Sequence, residues 1–354
     1  MWKVKTAEIE PLLRGTHDLV TEMLTWAVTE TDPTKHILTL QARAKRANGR
    51  LGDLARKTDL FKFMARLAKS GHASDIKADY VRITNDYRAF LDGGAQVQLS
   101  DDAQKTANHC FRWLYSDLLN EPDFWSLYAT HMASPLSLKL FREKAGAVWT
   151  VCPYCDHNKV HIPEAGQTDH FLAQAYFPVL TVYWANLVLS CHTCNMSIKK
   201  ASFIGTRNGK AKRVPIFHPY FHEAAAHVHF GFAANWTPTG PHIRGTSPTD
   251  RERSKHYLKL FRHLGALYAG QQKFVENQIN QFLAIVKSEY YRLGPELGWG
   301  RPLLTRILKR QARIQKRGQW ASRGASERSK LMFDLYAYLA GQANLVASRL
   351  KIRI

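Results

Sequence analysis

Sulfur is scarce in this chain: five cysteines in 354 residues are too few for a disulfide framework. Four of them nevertheless fall into two CxxC pairs, Cys152 with Cys155 and Cys191 with Cys194. In a chain without an export signal, that spacing reads as metal rather than as cross-links. The first eight residues, MWKVKTAE, lack an apolar stretch followed by a small-residue cleavage site, so the expected location is cytoplasmic. Long apolar runs are missing too. The most apolar window, residues 177–189, is broken by Thr181 and Asn186 and falls short of the roughly 20 residues a spanning helix needs, which reads against a membrane protein. Acidic residues are also in short supply, 29 against 50 Lys and Arg, leaving a net charge of +21. Such a surplus points to a polyanionic partner. The 45% apolar and 11% aromatic content excludes a disordered tail or a fibre.

The surplus is unevenly placed. Residues 1–147 carry a net +3, residues 148–204 with both CxxC pairs a net zero, residues 205–300 a net +7 and residues 301–354 a net +11. Three regions are read from this: a helix-rich N-terminal region (1–147), a zinc-stapled module (148–204) and a basic, mostly helical C-terminal region (205–354). The expected fold class is mainly α with a small central α+β module. In the first region, Leu51, Leu54, Leu60, Phe63, Met64 and Leu67 recur at spacings of three and four, the period of a helix face. Nine basic residues from Arg43 to Lys69 face only Asp53 and Asp59 nearby in sequence, either as a solvated helix face or as a nucleic-acid contact. Residues 205–213 read as a surface loop, 227–232 as a strand, 235–248 as turns and residues from 251 as helix. Two helices are predicted at the C-terminal end, at about 302–319 and 326–350. In the first, Arg306, Lys309, Arg310, Arg313, Lys316 and Arg317 share one face, the first candidate for phosphate contact.

Two CxxC knuckles separated by 35 intervening residues can supply four thiolates to one tetrahedral zinc, a closed site that stabilises and leaves no position for substrate. Between and after them stand Asp169-His170, Asn186-Leu187 and Asn195 directly behind Cys194. That order, DH, then N, then CxxCN, resembles the HNH endonucleases of the ββα-metal class, over roughly Cys152 to Lys200. The resemblance implies a ββα-metal nuclease core flanked by helical regions. It implies His170 as general base, whose ordinary pKa suits proton transfer at neutral pH, and Asn186 as the side chain that fixes the loop and orients His170. Asp169 and Asn195 are implied as ligands of a catalytic Mg²⁺ or Mn²⁺, for which oxygen donors are suited; Asn195 also reads as a helix N-cap. Two departures stand out. Ala173 occupies a position where many relatives have proline, and Lys199 follows Asn195 by four residues where three is common. Lys199 and Lys200 are candidates for phosphate contact or for a solvated helix face.

The other histidines carry no assignment. His218 with His222 and His227 with His229 could each present two ligands on one face, but such pairs are mostly structural; His157, His161 and His192 flank knuckles whose four sulfurs already saturate a zinc. Cys110 reads as an ordinary buried thiol.

The expected activity is metal-dependent hydrolysis of DNA phosphodiester bonds with little sequence specificity, since phosphate contacts carry little sequence information; RNA is the other substrate of the same chemistry. The architecture is similar to nucleases of bacterial anti-phage defence or mobile-element operons, Septu- and Zorya-type systems among them, which implies a partner protein from the same operon. The rival reading is a catalytically silent zinc-ribbon protein that binds nucleic acid or serves as an assembly subunit.

Overall fold

Helix dominates this computed structural model, which describes residues 2–93, 98–129, 137–161, 166–199, 206–207, 210–211, 215–244 and 247–352. Strands among the described residues are confined to three two-stranded antiparallel ladders. The chain divides into two compact units, Val4–Thr150 with Lys159–His222, and Met1–Lys3 with Val151–Asn158 and Glu223–Ile354. No helix among the described residues is long and apolar enough to cross a membrane.

The first unit begins with helices α1 (Glu10–Thr29), α2 (Ile37–Lys45), α3 (Gly49–Lys57), α4 (Leu60–Lys69), α5 (Ala73–Asn85), α6 (Tyr87–Asp92), α7 (Asp101–Ser116), α8 (Pro122–Tyr128) and α9 (Leu138–Val148). The three-four spacing works as expected: Leu51, Leu54, Leu60, Met64 and Leu67 are buried, while Phe63 stacks on Trp113 with centroids 4.4 Å apart. Helix α1 packs against α8 at Gly15, where a Cβ would lie 1.9 Å from the Tyr128 carbonyl oxygen. Only glycine permits so close an approach. Cys110 on α7 is fully buried, and burial pushes its thiol up to about 12. Strands β1 (Gly166–His170) and β2 (Leu187–Cys191) pair antiparallel, with Asp169 opposite Val188 and His170 opposite Leu187. A helical segment, Thr193–Lys199, follows directly. Beyond it, β3 (Thr206–Arg207) and β4 (Lys210–Ala211) form a short ladder inside the stretch expected to be loop; the rest of that stretch lies outside the described residues.

In the second unit, β5 (Val228–Phe232) buries Val228, Phe230 and Phe232 in alternation, as their period of two predicts. Its partner is β6 (Pro238–Ile243), within the segment expected to be turn-rich. Two prolines and a glycine disguised that strand, but a two-stranded ladder has outer edges where a missing N–H costs nothing. Then come α10 (Pro248–Leu260), α11 (Leu264–Ala269), α12 (Gln272–Leu297), α13 (Arg301–Ala321), α14 (Ser329–Leu339) and α15 (Ala343–Leu350). The single helix expected over 326–350 is thus two, broken around Gly341, a residue with poor helix propensity. Helix α14 is tied to β5 by Asp334, which accepts from the Phe230 amide at 2.8 Å and from the buried Lys330 ammonium at 2.8 Å.

Candidate active site and metal cluster

The β1–β2 ladder and the helical segment after it hold the chemistry-bearing residues in register. Successive residues of a strand face opposite sides, so Gln167 and Asp169 share one face of β1 and His170 takes the other. The segment Thr193–Lys199 is wound as a π-helix, a winding common at functional sites. Residues four apart on it reach residues two apart on β1: the Asn195 amide donates to Gln167 Oε1 at 3.3 Å, and the Lys199 ammonium donates to Asp169 Oδ1 at 2.8 Å. Lys199 also donates to the His170 carbonyl at 2.7 Å. Gly166 starts the strand where the backbone passes the Val160 carbonyl; a Cβ there would sit 2.1 Å from that oxygen.

His170 is oriented from two sides. Its Nε2 lies 2.9 Å from the Thr181 carbonyl oxygen, which can only accept, so Nε2 carries the proton and the neutral ring keeps its lone pair on Nδ1. The ring meets that of Tyr115 from α7 edge-on, centroids 4.5 Å apart. Burial lowers its pKa to about 4, with the Lys199 charge acting in the same direction, while Asp169 and the Thr181 carbonyl oppose it. A neutral imidazole with one oriented lone pair is chemically a proton acceptor.

Asn186 is fully buried and uses its whole hydrogen-bonding capacity. Its Oδ1 accepts from the Leu172 amide at 2.8 Å and the Tyr87 hydroxyl at 3.0 Å; its Nδ2 donates to the carbonyls of Leu172 at 3.1 Å and Leu180 at 3.2 Å. The connection between β1 and β2 is thereby clamped one residue before Thr181. The scaffold helix α1 adds a second hold, Thr16 donating to the Val182 carbonyl at 2.6 Å, and the Tyr220 hydroxyl donates to the Leu187 carbonyl at 2.7 Å. None of these partners was visible in the motif, which implied only that Asn186 fixes the loop.

Lys199 departs from its expected place. Its side chain is 1% exposed and engaged by Asp169, so it is neither a solvated face nor turned outward to a phosphate. Burying an ammonium is tolerable only opposite a charge, and Asp169, 3% exposed, is that charge. Lys200 lies outside the described residues. Oxygen donors of the kind a hard divalent cation takes are gathered here, the Asp169 carboxylate with the amides of Gln167 and Asn195. The Asp169 carboxylate, the one charged oxygen among them, is already neutralised by the Lys199 ammonium, so a cation held there would have to displace or share that partner.

The sulfurs of Cys152, Cys155, Cys191 and Cys194 lie within 4.8 Å of one another, and all four residues are buried. Four bonds of about 2.3 Å from a central zinc fit such a cluster. Each knuckle has its own supports. Cys152 donates its amide to the Asn158 carbonyl at 2.7 Å, Asp156 turns the chain with φ of 56°, and the Tyr268 hydroxyl donates to the Cys155 carbonyl. In the second knuckle the Cys194 amide points at Cys191 Sγ, 3.5 Å away. No histidine joins this cluster among the described residues. His222 instead binds Asp92 at 2.9 Å, His218 packs on Phe171 with centroids 4.1 Å apart, and His229 lies 3.2 Å from Asp334.

The basic faces fare differently. In the N-terminal region the cations find carboxylates from other helices: Arg50 with Glu22 at 2.6 Å, Arg43 with Glu30 at 2.6 Å and Lys57 with Asp123 at 2.9 Å. Counting only Asp53 and Asp59 nearby in sequence overlooked these partners; with Arg56 and Lys62 on Asp53 and Asp59, five of the nine cations are paired. On α13, Leu303, Leu304, Ile307, Leu308 and Ala312 are buried, whereas Arg306, Lys309, Arg310 and Arg313 are exposed. Of these four, Arg310 approaches Glu289 at 3.3 Å. Compared with protein-family models, with curated proteins and with solved structures, the chain matches none.

Proposed function

We propose that this chain is a metal-dependent endonuclease of the HNH type that hydrolyses DNA phosphodiester bonds with little sequence preference and serves in bacterial defence against foreign DNA alongside a partner protein. The observation that carries the reading is the His170 ring, neutral and held by the Thr181 carbonyl so that Nδ1 is the proton acceptor, beside Asp169 in a hairpin that runs straight into a helical segment. In this reading His170 takes a proton from the attacking water, and Asn186 and Tyr115 keep its ring in place. Asp169 and Asn195 would hold Mg²⁺ or Mn²⁺. Such an ion, when bound, stabilises charge on the phosphate and on the leaving oxygen. The four-sulfur cluster holds a structural zinc, and Arg306, Lys309, Arg310 and Arg313 contact phosphates.

A plasmid-nicking assay with Mg²⁺ or Mn²⁺ tests this. His170→Ala should abolish nicking while folding, zinc content and DNA binding persist. Because the base works unprotonated and burial depresses its pKa, activity should persist below pH 6.5 and fail only as the pH approaches about 4. An acid limb at or above pH 6.5 would contradict the assignment. Binding should weaken steeply with salt. The silent zinc-ribbon reading draws support from one observation, the Lys199 ammonium already neutralising Asp169; a parent protein with no divalent-dependent nicking would select it.

A further inference from the structure

Helices α13 and α14 line an open cleft of about 630 Å³. Its α13 wall repeats at helical spacing, with Lys309, Arg313, Lys316 and Arg317 leading to Trp320. The facing wall carries Phe333, Ala337 and Ala340, and the two alanines leave the space open. No acidic residue lines the cleft. Among the described residues, none of the four cations has a carboxylate partner; the Lys316 ammonium instead sits 4.4 Å over the Phe333 ring. Trp320 is 43% exposed, yet it is braced by Trp2 at 5.3 Å edge-on and by the Arg323 guanidinium at 4.4 Å.

Four uncompensated like charges around an apolar hollow focus positive potential into it, so its occupant is anionic. The aromatic wall adds a second demand, a flat apolar face. Inorganic phosphate meets only the first. An acidic helix of a partner protein would need a far larger surface, since the nine residues lining the cleft fall short of the roughly 20–30 per side of a protein interface. The volume instead lies within the roughly 300–1,000 Å³ of clefts that take small ligands. A nucleotide meets both demands, with phosphate on the cations and base on the ring, as in single-strand binding sites.

We propose that this cleft is a nucleotide site, taking either a free nucleotide or one unit of an unpaired strand, with phosphate held by Lys309, Arg313, Lys316 and Arg317 and the base against Trp320. The site goes beyond the phosphate contacts of the preceding reading and does not depend on the cleavage chemistry.

Binding to the full chain is measured with adenosine 5′-monophosphate by calorimetry and with a fluorescein-labelled thymidine octamer by anisotropy, with pyrophosphate and a glutamate-rich peptide as competitors. At least one nucleotide probe should bind about tenfold more tightly than pyrophosphate. Trp320→Ala should weaken it about tenfold or more, while Trp320→Phe retains most of the affinity. Arg313→Gln, at an exposed side chain, should weaken it and lower the salt slope by about one. His170→Ala should leave binding unchanged even if it removes nicking, which separates this site from the nuclease reading. Equal affinity for both probes identifies a free nucleotide, and preference for the octamer identifies a strand. The proposal is overturned if pyrophosphate binds as well as both nucleotide probes, if the peptide binds in a Trp320-dependent way, or if a normally melting Trp320→Ala protein keeps parental affinity. Should Trp320→Ala fail to fold, unchanged binding by Arg313→Gln overturns it instead.

Discussion

Two neighbouring residues, Asp169 and His170, live in opposite electrostatic worlds although one peptide bond joins them. Asp169 is buried against a cation at 2.8 Å, whereas His170 is desolvated and neutral. Removing one member of a buried ion pair strands the other charge and costs about 3–5 kcal/mol, while replacing both with apolar or neutral groups costs far less. Lys199→Met should therefore destabilise the protein by about that amount in urea denaturation, and adding Asp169→Asn should recover much of the loss. Additive effects of the two substitutions would mean that the pair does not stabilise the fold. This pairing could not be read from the sequence, because 30 residues separate the partners and only the strand pairing brings them together. The cysteines could be read, since their spacing alone carries the chemistry; so could the buried character of Cys110.

At the scale of elements, the hairpin depends on its first residue. Gly166→Ala would press a methyl group onto the Val160 carbonyl, and overpacking of this kind costs about 1–3 kcal/mol. Lower stability together with weaker amide-exchange protection across β1 and β2 is the expected result; an unchanged denaturation midpoint would show that the local backbone yields. Helices α3 and α4 were legible because their buried leucines and Met64 recur at helical spacing, and α13 because its basic residues do. Strand β6 was not, because Pro238, Gly240 and Pro241 suppress every local strand signal while an exposed ladder edge tolerates them. The break between α14 and α15 was also missed, since the apolar stripe continues across it and only Gly341 marks the interruption.

Across the whole molecule, a net charge of +21 coexists with an N-terminal basic surface that the fold neutralises in part and an α13 face that it leaves largely charged. Sequence counting finds the surplus but not its address, because the carboxylates answering Arg43, Arg50 and Lys57 come from distant segments. The four-sulfur cluster acts on the molecule as a whole, since metal binding at a closed site is folding free energy. Elemental analysis should find about one zinc per chain, and stripping it with a chelator should lower the melting temperature, as should Cys152→Ser. A metal-free protein with the same melting temperature would remove zinc from the fold. The one-residue separation of Asp169 and His170 on β1 also governs which changes in chain length the protein survives. A single residue inserted ahead of Asp169 within the strand would exchange the sides on which acid and imidazole project, whereas lengthening the chain in surface loops away from this ladder would leave both where they are. Natural variants and engineered insertions should accordingly accumulate in such loops and be purged from the five positions of β1.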